Sequence, residues 1–116
     1  MATGPIGPSG EDAAAATYRR RGYRIVARNW RCRIGELDLV VERRGMLVFC
    51  EVKSRRGGAF GVGYEAVTRR KQTKLRSLAE AFLQATGSRP LAIRFDVASV
   101  AVRGERSVVE LFEDAF

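Results

Sequence analysis

Four charged side chains lie within two apolar segments that read as the arms of a β-hairpin. The stretch from Gly35 to Arg55 is GELDLVVERRGMLVFCEVKSR, with Glu36 and Asp38 in its first arm and Glu51 and Lys53 in its second. Two neighbouring carboxylates can bind a divalent cation such as Mg²⁺, and a lysine beside them can stabilise the charge of a phosphate. The types and spacing of these residues therefore indicate a site for a phosphate-bearing ligand.

The turn in the middle of this stretch determines which side chains face one another. Whether its loop contains two residues or four, the same register follows, with Asp38 opposite Glu51 and Glu36 opposite Lys53. Directly opposed side chains have Cβ atoms about 4.5–5.5 Å apart, so this register brings the two carboxylates together. The other face of the hairpin then carries Leu37, Leu39, Val41, Val48, Cys50 and Val52.

Val40 and Phe49 fall on the same face as the charged residues, so we expect this face to be partly covered. Like charges on a covered face repel, and a cation or a shared proton is needed to offset the repulsion. Removing the charge of either carboxylate is then expected to relieve it. The alternative is a solvated face on which Glu36 and Lys53 form a minor cross-strand ion pair.

Positive charge is in excess and is concentrated in two clusters. The chain has 21 Lys and Arg against 13 Asp and Glu, a formal net charge of +8. Seven Arg and no acid lie between Thr17 and Arg33, and five bases and no acid lie between Arg69 and Arg76. This clustering favours nucleic acid over the alternatives, an acidic protein or a membrane surface. The residues predicted to contact nucleic acid are Arg19, Arg20, Arg21, Arg55, Arg69, Arg70, Lys71 and Lys74.

The small number of cysteines and the absence of histidine limit the disulfides, metal sites and catalytic groups that the chain can form. Cys32 and Cys50 are too few for a disulfide framework or a four-ligand zinc site within one chain, so reduced thiols are predicted. Without His, Ser-His-Asp and Cys-His nucleophilic systems are excluded, which leaves carboxylates, Lys, Tyr or a hard cation. The N-terminal MATGPIGPSG has no basic or apolar signal region and no segment is apolar enough for a membrane span, which predicts a cytoplasmic protein.

The length and the local patterns predict one domain built from helices and strands. With 116 residues, 46% of them hydrophobic, the chain suffices for one modest core. Residues 1–8 are predicted to be a disordered Gly/Pro lead, and residues 9–116 the domain. Caps and apolar periodicity predict helices over 9–21 and 68–86. Strands are predicted over 23–30, where apolar and more polar side chains alternate between two faces, in the hairpin at 36–53, and over 91–102 and 107–112, with a flexible Gly-rich loop over 55–63.

Asp38 followed by the strand sequence Glu51-Val52-Lys53 resembles the site of the PD-(D/E)xK restriction-endonuclease-like nucleases. The match is closer to the YraN-like family, itself similar to archaeal Holliday-junction resolvases, and it covers nearly the whole chain from Gly10. It rests on the ordered motifs GELDLVV, VFCEVKSR, Phe60-Gly61, the helix that carries Lys71, Arg94-Phe95-Asp96-Val97 and a terminal Asp-Ala-Phe. The chain departs from the pattern in Cys50, where Val is more usual, and in Glu-Asp-Ala-Phe, where Asn-Ala-Phe is typical.

The resemblance implies an α/β fold with a restriction-endonuclease-like core, a mixed β-sheet flanked by helices. It also implies that Asp38 and Glu51 bind Mg²⁺ or Mn²⁺, which lowers the pKa of a bound water and neutralises charge developing on the scissile phosphate. Lys53 would then orient that water or stabilise the transition state as a compact point charge.

Three further residues are second-tier candidates for the same site. Glu11 resembles the N-terminal helix acid of the resolvases, although an acid in the first turn also suits the helix dipole. Glu36 is a candidate partner of Lys53 or an outer metal ligand. Gln72 is the third, and it is expected to line the cleft together with Lys71.

Three functions compete on these observations. The first is a Mg²⁺- or Mn²⁺-dependent DNA endonuclease, structure-selective if the likeness to resolvases extends to the substrate. The second is a catalytically inactive nucleic-acid-binding module of the same fold, and the third is an interaction protein whose acids only support structure. The intact Asp38, Glu51 and Lys53 favour the first over the second, and the Arg clusters disfavour the third. Branched or duplex DNA is the expected partner, with RNA as an alternative, no membrane, and a homodimer as in similar resolvases.

Overall fold

The computed structural model describes residues 10–56 and 67–116. The helices are α1 (Gly10–Arg20) and α2 (Arg69–Thr86), and the strands are β1 (Arg24–Arg31), β2 (Glu36–Arg43), β3 (Met46–Arg56), β4 (Ala92–Arg103) and β5 (Arg106–Phe112). Each predicted helix and strand is confirmed, although β3 continues to Arg56, beyond the predicted end of the hairpin at Lys53. The predicted lead over 1–8 and most of the predicted loop over 55–63 lie outside the described residues.

The strands form one mixed sheet in the order β1-β2-β3-β4-β5. β3 and β4 run parallel, whereas the other neighbouring pairs are antiparallel. Because parallel neighbours need a crossover connection, the chain passes through α2 between β3 and β4. The sheet therefore has the mixed topology and flanking helices expected of a restriction-endonuclease-like core.

The hairpin of β2 and β3 has the predicted register, with a loop of two residues. Arg44 and Gly45 form the loop, and their φ angles of 52° and 82° are left-handed, as a type I′ turn requires. This turn twists in the same sense as the strands that it joins, which explains why the shorter of the two predicted loops is formed. The ladder runs from the turn to Leu39 opposite Cys50 and ends at that pair, so the predicted pairs of Asp38 with Glu51 and of Glu36 with Lys53 are not formed.

α1 and α2 pack on opposite faces of the sheet. The face predicted to be apolar contributes Leu39, Val41, Val48 and Cys50 to the core under α1. Val40 and Phe49, on the other face, are 0% and 2% exposed in the core under α2. The face that carries the charged residues is therefore covered, as predicted from those two apolar side chains.

Two predicted side-chain directions are wrong. The sequence pattern places Leu37 on the α1 side with the alternate residues of its strand, but Leu37 packs into the core under α2. The ladder between β2 and β3 has already ended at Leu39, so pairing with β3 no longer fixes the alternation there. In β1, a bulge between Ile25 and Ala27 interrupts the alternation predicted from Tyr23 to Trp30, because the extra residue exchanges the two faces.

The ends of α2 are fixed by local caps. Thr68 accepts a hydrogen bond of 3.2 Å from the Lys71 amide at the start of the helix, and Gly87 ends it in the left-handed conformation with a φ of 69°. The Thr68 cap sets where the first turn begins and therefore where the Lys71 side chain lies. Neither helix of the described residues is long and apolar enough to cross a membrane.

A buried carboxylate joins three distant parts of the chain. Asp96 in β4 is 0% exposed and accepts hydrogen bonds from the Tyr18 hydroxyl at 2.6 Å and the Asp114 amide at 3.0 Å. Arg94 donates two bonds of 2.8 Å to the same carboxylate. Arg94 also donates a bond of 3.0 Å to the Tyr23 hydroxyl. This network holds α1 and the C-terminal segment against β4, so the motif around Asp96 supports the fold.

We expect Tyr18→Phe to lower the free energy of unfolding by about 1.5–3 kcal/mol, the usual value of a hydrogen bond to a charged group. The ring keeps its edge contact with Tyr23, while the buried Asp96 carboxylate loses one donor. Chemical denaturation of the purified proteins measures the difference. Tyr23→Phe is the matched control, and it should cost less because its hydroxyl does not bind Asp96 directly. Equal stability of wild type and Tyr18→Phe would show that this bond contributes nothing.

Candidate active site

Asp38 and Glu51 lie where the regular pairing between β2 and β3 ends. Leu39 opposite Cys50 is the last pair of the ladder, and beyond it the Val52 amide donates a hydrogen bond of 2.8 Å to the Asp38 carboxylate. This bond holds Asp38 against β3, where the charge of Glu51 acts on it. The two carboxylates are therefore neighbours, but a side-chain bond to Val52 takes the place of the predicted cross-strand pair.

Two lysines approach one oxygen of Glu51. Its Oε2 atom lies 3.1 Å from the Nζ of Lys71 and 3.7 Å from the Nζ of Lys53. Lys53 comes from β3, two residues after Glu51, and Lys71 comes from the first turn of α2. The exposed fraction of the side chain is 11% for Glu51, 22% for Lys53 and 41% for Lys71. A largely buried carboxylate is thus neutralised from both the sheet and the helix.

The surroundings of Asp38 disfavour its ionised form. Burial raises the pKa of Asp38 from 3.8 to about 6, although the hydrogen bond from Val52 acts in the opposite direction. The nearby charges of Glu51, Glu11 and Glu36 add to the increase. A cation bound at Asp38 would offset this negative charge.

The two lysines also influence each other. The neighbouring Lys71 and partial burial lower the pKa of Lys53, against the weaker attraction of the carboxylates. A hydrogen bond donated to Lys53 when that amine is neutral raises the pKa of Lys71, and the Glu51 carboxylate contributes to the increase. Both bases therefore share one carboxylate, which leaves them able to bind a further anion.

The charged residues surround a pocket of about 150 Å³ between the sheet and α2. A water occupies about 30 Å³ in the liquid, so the pocket has room for an ion with several waters or for a phosphate group. Charged side chains form one part of its wall and two leucines of α2 form the other. The lining residues are Glu36, Asp38, Glu51, Lys71, Lys74, Leu75 and Leu78.

Glu11 and Glu36 border the site, and each is paired with an arginine. Glu11 lies 3.9 Å from Arg28, and Glu36 lies 3.3 Å from Arg31. Both raise the pKa of Asp38 through their charge, and Glu36 also lines the pocket. The structure therefore brings these two second-tier candidates to the edge of the site.

Gln72 is engaged at the start of α2. Its side-chain amide donates a hydrogen bond of 3.1 Å to the backbone carbonyl of Val67. It does not line the pocket that the described residues form around Asp38 and Glu51. Its side chain and the Thr68 cap together fix the backbone where the chain enters α2.

The residues predicted to contact nucleic acid lie in separate places. Arg69 and Arg70 are exposed in the first turn of α2, next to Lys71 and Lys74 on the pocket wall. The arginines at 19–21 lie at the C-terminal end of α1, which packs on the other face of the sheet. The cluster on α2 is therefore the one beside the candidate site.

A strip of polar side chains continues from Lys53 across the sheet, and sequence reasoning identified only part of it. Ser99 of β4 lies opposite Lys53 of β3 on one side and opposite Glu110 of β5 on the other. Arg55 follows Lys53 by two positions in β3 and therefore lies on the same face. Arg55, Ser99 and Glu110 each have a buried polar atom without a hydrogen-bond partner in the part of the chain that the structure describes. The signal in the sequence was one polar residue within each of the apolar runs at 97–102 and 108–112.

Asp38 and Glu51 are the residues that would hold a divalent cation. No three side chains of Cys, Asp or Glu within residues 10–56 and 67–116 lie close enough together to hold an ion by themselves. Mg²⁺ does not need such a set, because it binds one or two carboxylates and keeps several waters beside phosphate oxygens. The donor set fits Mg²⁺ or Mn²⁺, whereas a structural zinc site or an all-protein calcium cage would need more ligands.

The mixed sheet, with Asp38 on one strand and Glu51-Val52-Lys53 on the next, defines a restriction-endonuclease-like α/β protein. Residues 10–100 match the uncharacterised protein family UPF0102, and the chain belongs to this family, the YraN-like family that its motifs indicated.

Similar proteins occur in several bacteria. A UPF0102 protein of Symbiobacterium thermophilum is 50% identical over 95 residues, which cover 82% of this chain and 80% of the relative. A UPF0102 protein of Pelotomaculum thermopropionicum is 44% identical over 113 residues, covering 96% and 94%. One of Parafrankia sp. is 47% identical over 103 residues, covering 89% and 87%. The similarity thus extends over most of each chain, and the names of these relatives state the family and no activity.

Proposed function

We propose that this protein is a divalent-metal-dependent nuclease that hydrolyses phosphodiester bonds in branched or duplex DNA. The observation that carries the proposal is a cluster of two carboxylates and two lysines at one small pocket of a nuclease-like sheet, in which one lysine lines the pocket and the other reaches the carboxylate Glu51 from the sheet. The carboxylates are Asp38 and Glu51, and the lysines are Lys53 and Lys71. Together they offer ligands for a cation that binds phosphate and positive charge for the phosphate itself.

Each side chain has a distinct part in the proposed reaction. Asp38 and Glu51 would hold Mg²⁺ or Mn²⁺, which, when bound, acidifies a water and offsets charge on the scissile phosphate. Lys53, fixed on the central strand, orients the attacking water or stabilises the phosphate in the transition state. Lys71, on the more exposed side of the pocket, supplies a point charge for phosphate oxygens of the backbone.

A catalytically inactive nucleic-acid-binding module of the same fold is the second candidate. The two ion pairs of Glu51 favour it, since a carboxylate that is already neutralised attracts a cation less strongly. Both candidates share the basic residues of α2 and differ in whether bound DNA is cut.

Incubation with labelled nucleic acids tests the proposal. The purified protein is mixed with branched, flapped, linear and single-stranded DNA and with RNA, in Mn²⁺ or in EDTA. We expect cleavage of at least one DNA substrate in Mn²⁺ and none in EDTA, and no cleavage by Asp38→Asn prepared in the same way. Binding without cleavage of any substrate would favour the inactive module. Cleavage that persists in EDTA would contradict the metal-dependent mechanism.

DNA binding should weaken steeply with salt, because the basic residues release counterions from the phosphates. Arg69 and Arg70 are exposed beside the pocket, so we expect the double variant Arg69→Gln/Arg70→Gln to reduce the slope of log affinity against log salt by about 2. Fluorescence anisotropy of labelled DNA between about 50 and 200 mM salt measures this slope.

Arg19→Gln/Arg20→Gln is the matched control for this prediction. These arginines lie at the far end of α1, an 11-residue helix whose length is about 16 Å. They are remote from the pocket wall on α2, so a smaller change of slope is expected. Equal reductions of the slope in both double variants would indicate that bound DNA contacts both basic clusters. A DNA affinity that does not change with salt would contradict electrostatic binding.

A further inference from the structure

The ammonium group of Lys71 forms an ion pair with Glu51, one of the two carboxylates that would bind the proposed cation. Its Nζ is 3.1 Å from the Oε2 atom of Glu51, closer than the Nζ of Lys53 at 3.7 Å. Both ammonium groups approach the same oxygen of a carboxylate that is only 11% exposed. In the protein without metal, Glu51 is therefore already neutralised, and the nearer neutralising group belongs to α2.

The charges at the centre of the site cancel without a cation. Lys53 and Lys71 both pair with Glu51, and the charge of Asp38 also attracts both of them. The bordering carboxylates of α1 and β2 have arginine partners of their own. A divalent cation added to this arrangement would lie close to two ammonium groups, and that repulsion is costly in a partly buried pocket. Either a lysine withdraws or an anion enters with the cation.

Of the two lysines, Lys71 has the freedom to withdraw. Its side chain is 41% exposed, against 22% for Lys53. It extends from the first turn of a helix at the pocket wall, whereas Lys53 extends from the central strand of the sheet. The four-carbon stem of a lysine lets its ammonium group move several ångströms without any change in the backbone.

We propose that Lys71 blocks the cation site of the free protein and moves from Glu51 to a backbone phosphate when the cation and DNA bind together. The inference rests on the proposed function and assigns Lys71 a role beyond general contact with DNA. The phosphate supplies the anion that the charge balance requires, and Lys71 releases Glu51 for the cation. By linkage, the cation and DNA each raise the affinity of the protein for the other.

Titration calorimetry of Mn²⁺ into the full-length protein without DNA tests this role. Lys71→Met removes the competing charge and keeps an unbranched side chain. Its affinity for Mn²⁺ is expected to rise on the order of tenfold, within the typical range of about 5–150-fold for coupling between ligands. Lys71→Arg keeps the charge and should bind Mn²⁺ as weakly as wild type. Tighter metal binding by Lys71→Met should be accompanied by slower cleavage of DNA, because the phosphate loses its partner.

Lys74→Met is the matched control. Lys74 lies on the same helix and lines the same pocket, but among the described residues no ion pair joins it to Glu51. The substitution removes the same charge, and a change in Mn²⁺ affinity of about twofold or less is expected from screened surface charge. Thermal melts in EDTA verify that each variant is folded.

The results separate this inference from the proposed function. An increase in affinity for Lys71→Met that Lys74→Met does not reproduce supports the displacement of Lys71. Measurable Mn²⁺ binding with equal affinity in wild type, Lys71→Met and Lys74→Met would overturn it and leave the nuclease proposal standing. Absence of Mn²⁺ binding in all of them would overturn the metal site itself, and the inference with it.

Discussion

Lys53→Ala is expected to reduce the rate of DNA cleavage by at least ~10²-fold while leaving DNA affinity nearly unchanged. Lys53 is largely buried beside Glu51 on the central strand, so few phosphates of bound DNA can reach it other than the one being cut. Its charge would therefore act mainly where negative charge develops in the transition state. Single-turnover cleavage in Mn²⁺ and anisotropy measurements in EDTA give the two quantities separately.

Lys74→Ala is the control for this prediction. Lys74 is a lysine that lines the pocket beside Glu51, but it is exposed on α2. We expect this variant to lose DNA affinity with a smaller effect on the rate of the bound substrate. If Lys53→Ala instead loses affinity and rate by the same factor, Lys53 is a phosphate anchor and not a group that stabilises the transition state.

Asp38→Asn is expected to abolish cleavage and metal-dependent stabilisation without destabilising the metal-free protein. Folding raises the pKa of Asp38 from 3.8 to about 6, so the ionised carboxylate lowers stability as the pH rises through this window. Asparagine removes that charge, and its amide oxygen can still accept the hydrogen bond from Val52. The melting temperature in EDTA at neutral pH should therefore be unchanged or higher than that of wild type.

Glu51→Gln should differ from Asp38→Asn in the absence of metal. The register alone makes the two carboxylates equivalent, so the sequence predicts that removing either charge relieves repulsion. The structure gives a different expectation for Glu51, because its charge neutralises Lys53 and Lys71. Without it the two ammonium groups repel each other, and we expect the metal-free variant to be less stable than wild type. Both variants should lose metal-dependent stabilisation, since each lacks one ligand.

The hairpin could be predicted because local rules determine its register. A loop of Arg44 and Gly45 suits the left-handed conformations of a tight turn, and the side-chain period of two then assigns every residue to a face. Val40 and Phe49 on the charged face were enough to predict that this face is partly covered, and α2 covers it. The presence of the carboxylates and Lys53 on one face followed from the same count.

The failures occur where the regular pairing stops. Nothing in the sequence marks Leu39 and Cys50 as the last pair of the ladder, so neither the hydrogen bond from Val52 to Asp38 nor the direction of Leu37 could be predicted. The bulge in β1 likewise depends on pairing with β2 and leaves no sign in the alternation of its residues.

Contacts between distant parts of the chain were also beyond sequence reasoning. Lys71 was predicted to contact nucleic acid and to line the cleft, but its ion pair with Glu51 depends on how the crossover places α2 over the sheet. Through this ion pair Glu51 partly compensates the positive charge at the start of α2. Asp96 and Tyr18 are 78 positions apart, and their bond requires α1 to lie against β4.

Binding of one divalent ion by Asp38 and Glu51 is the point on which cleavage, the displacement of Lys71 and the behaviour of both carboxylate variants depend. Calorimetric melts of wild type, Asp38→Asn and Glu51→Gln, each in EDTA and in millimolar Mn²⁺, test it most directly. We predict that Mn²⁺ raises the melting temperature of wild type, as any ligand of the folded state does, and has no effect on either variant. A wild-type melting temperature that is the same in Mn²⁺ and in EDTA, together with no detectable Mn²⁺ binding, would contradict the metal site.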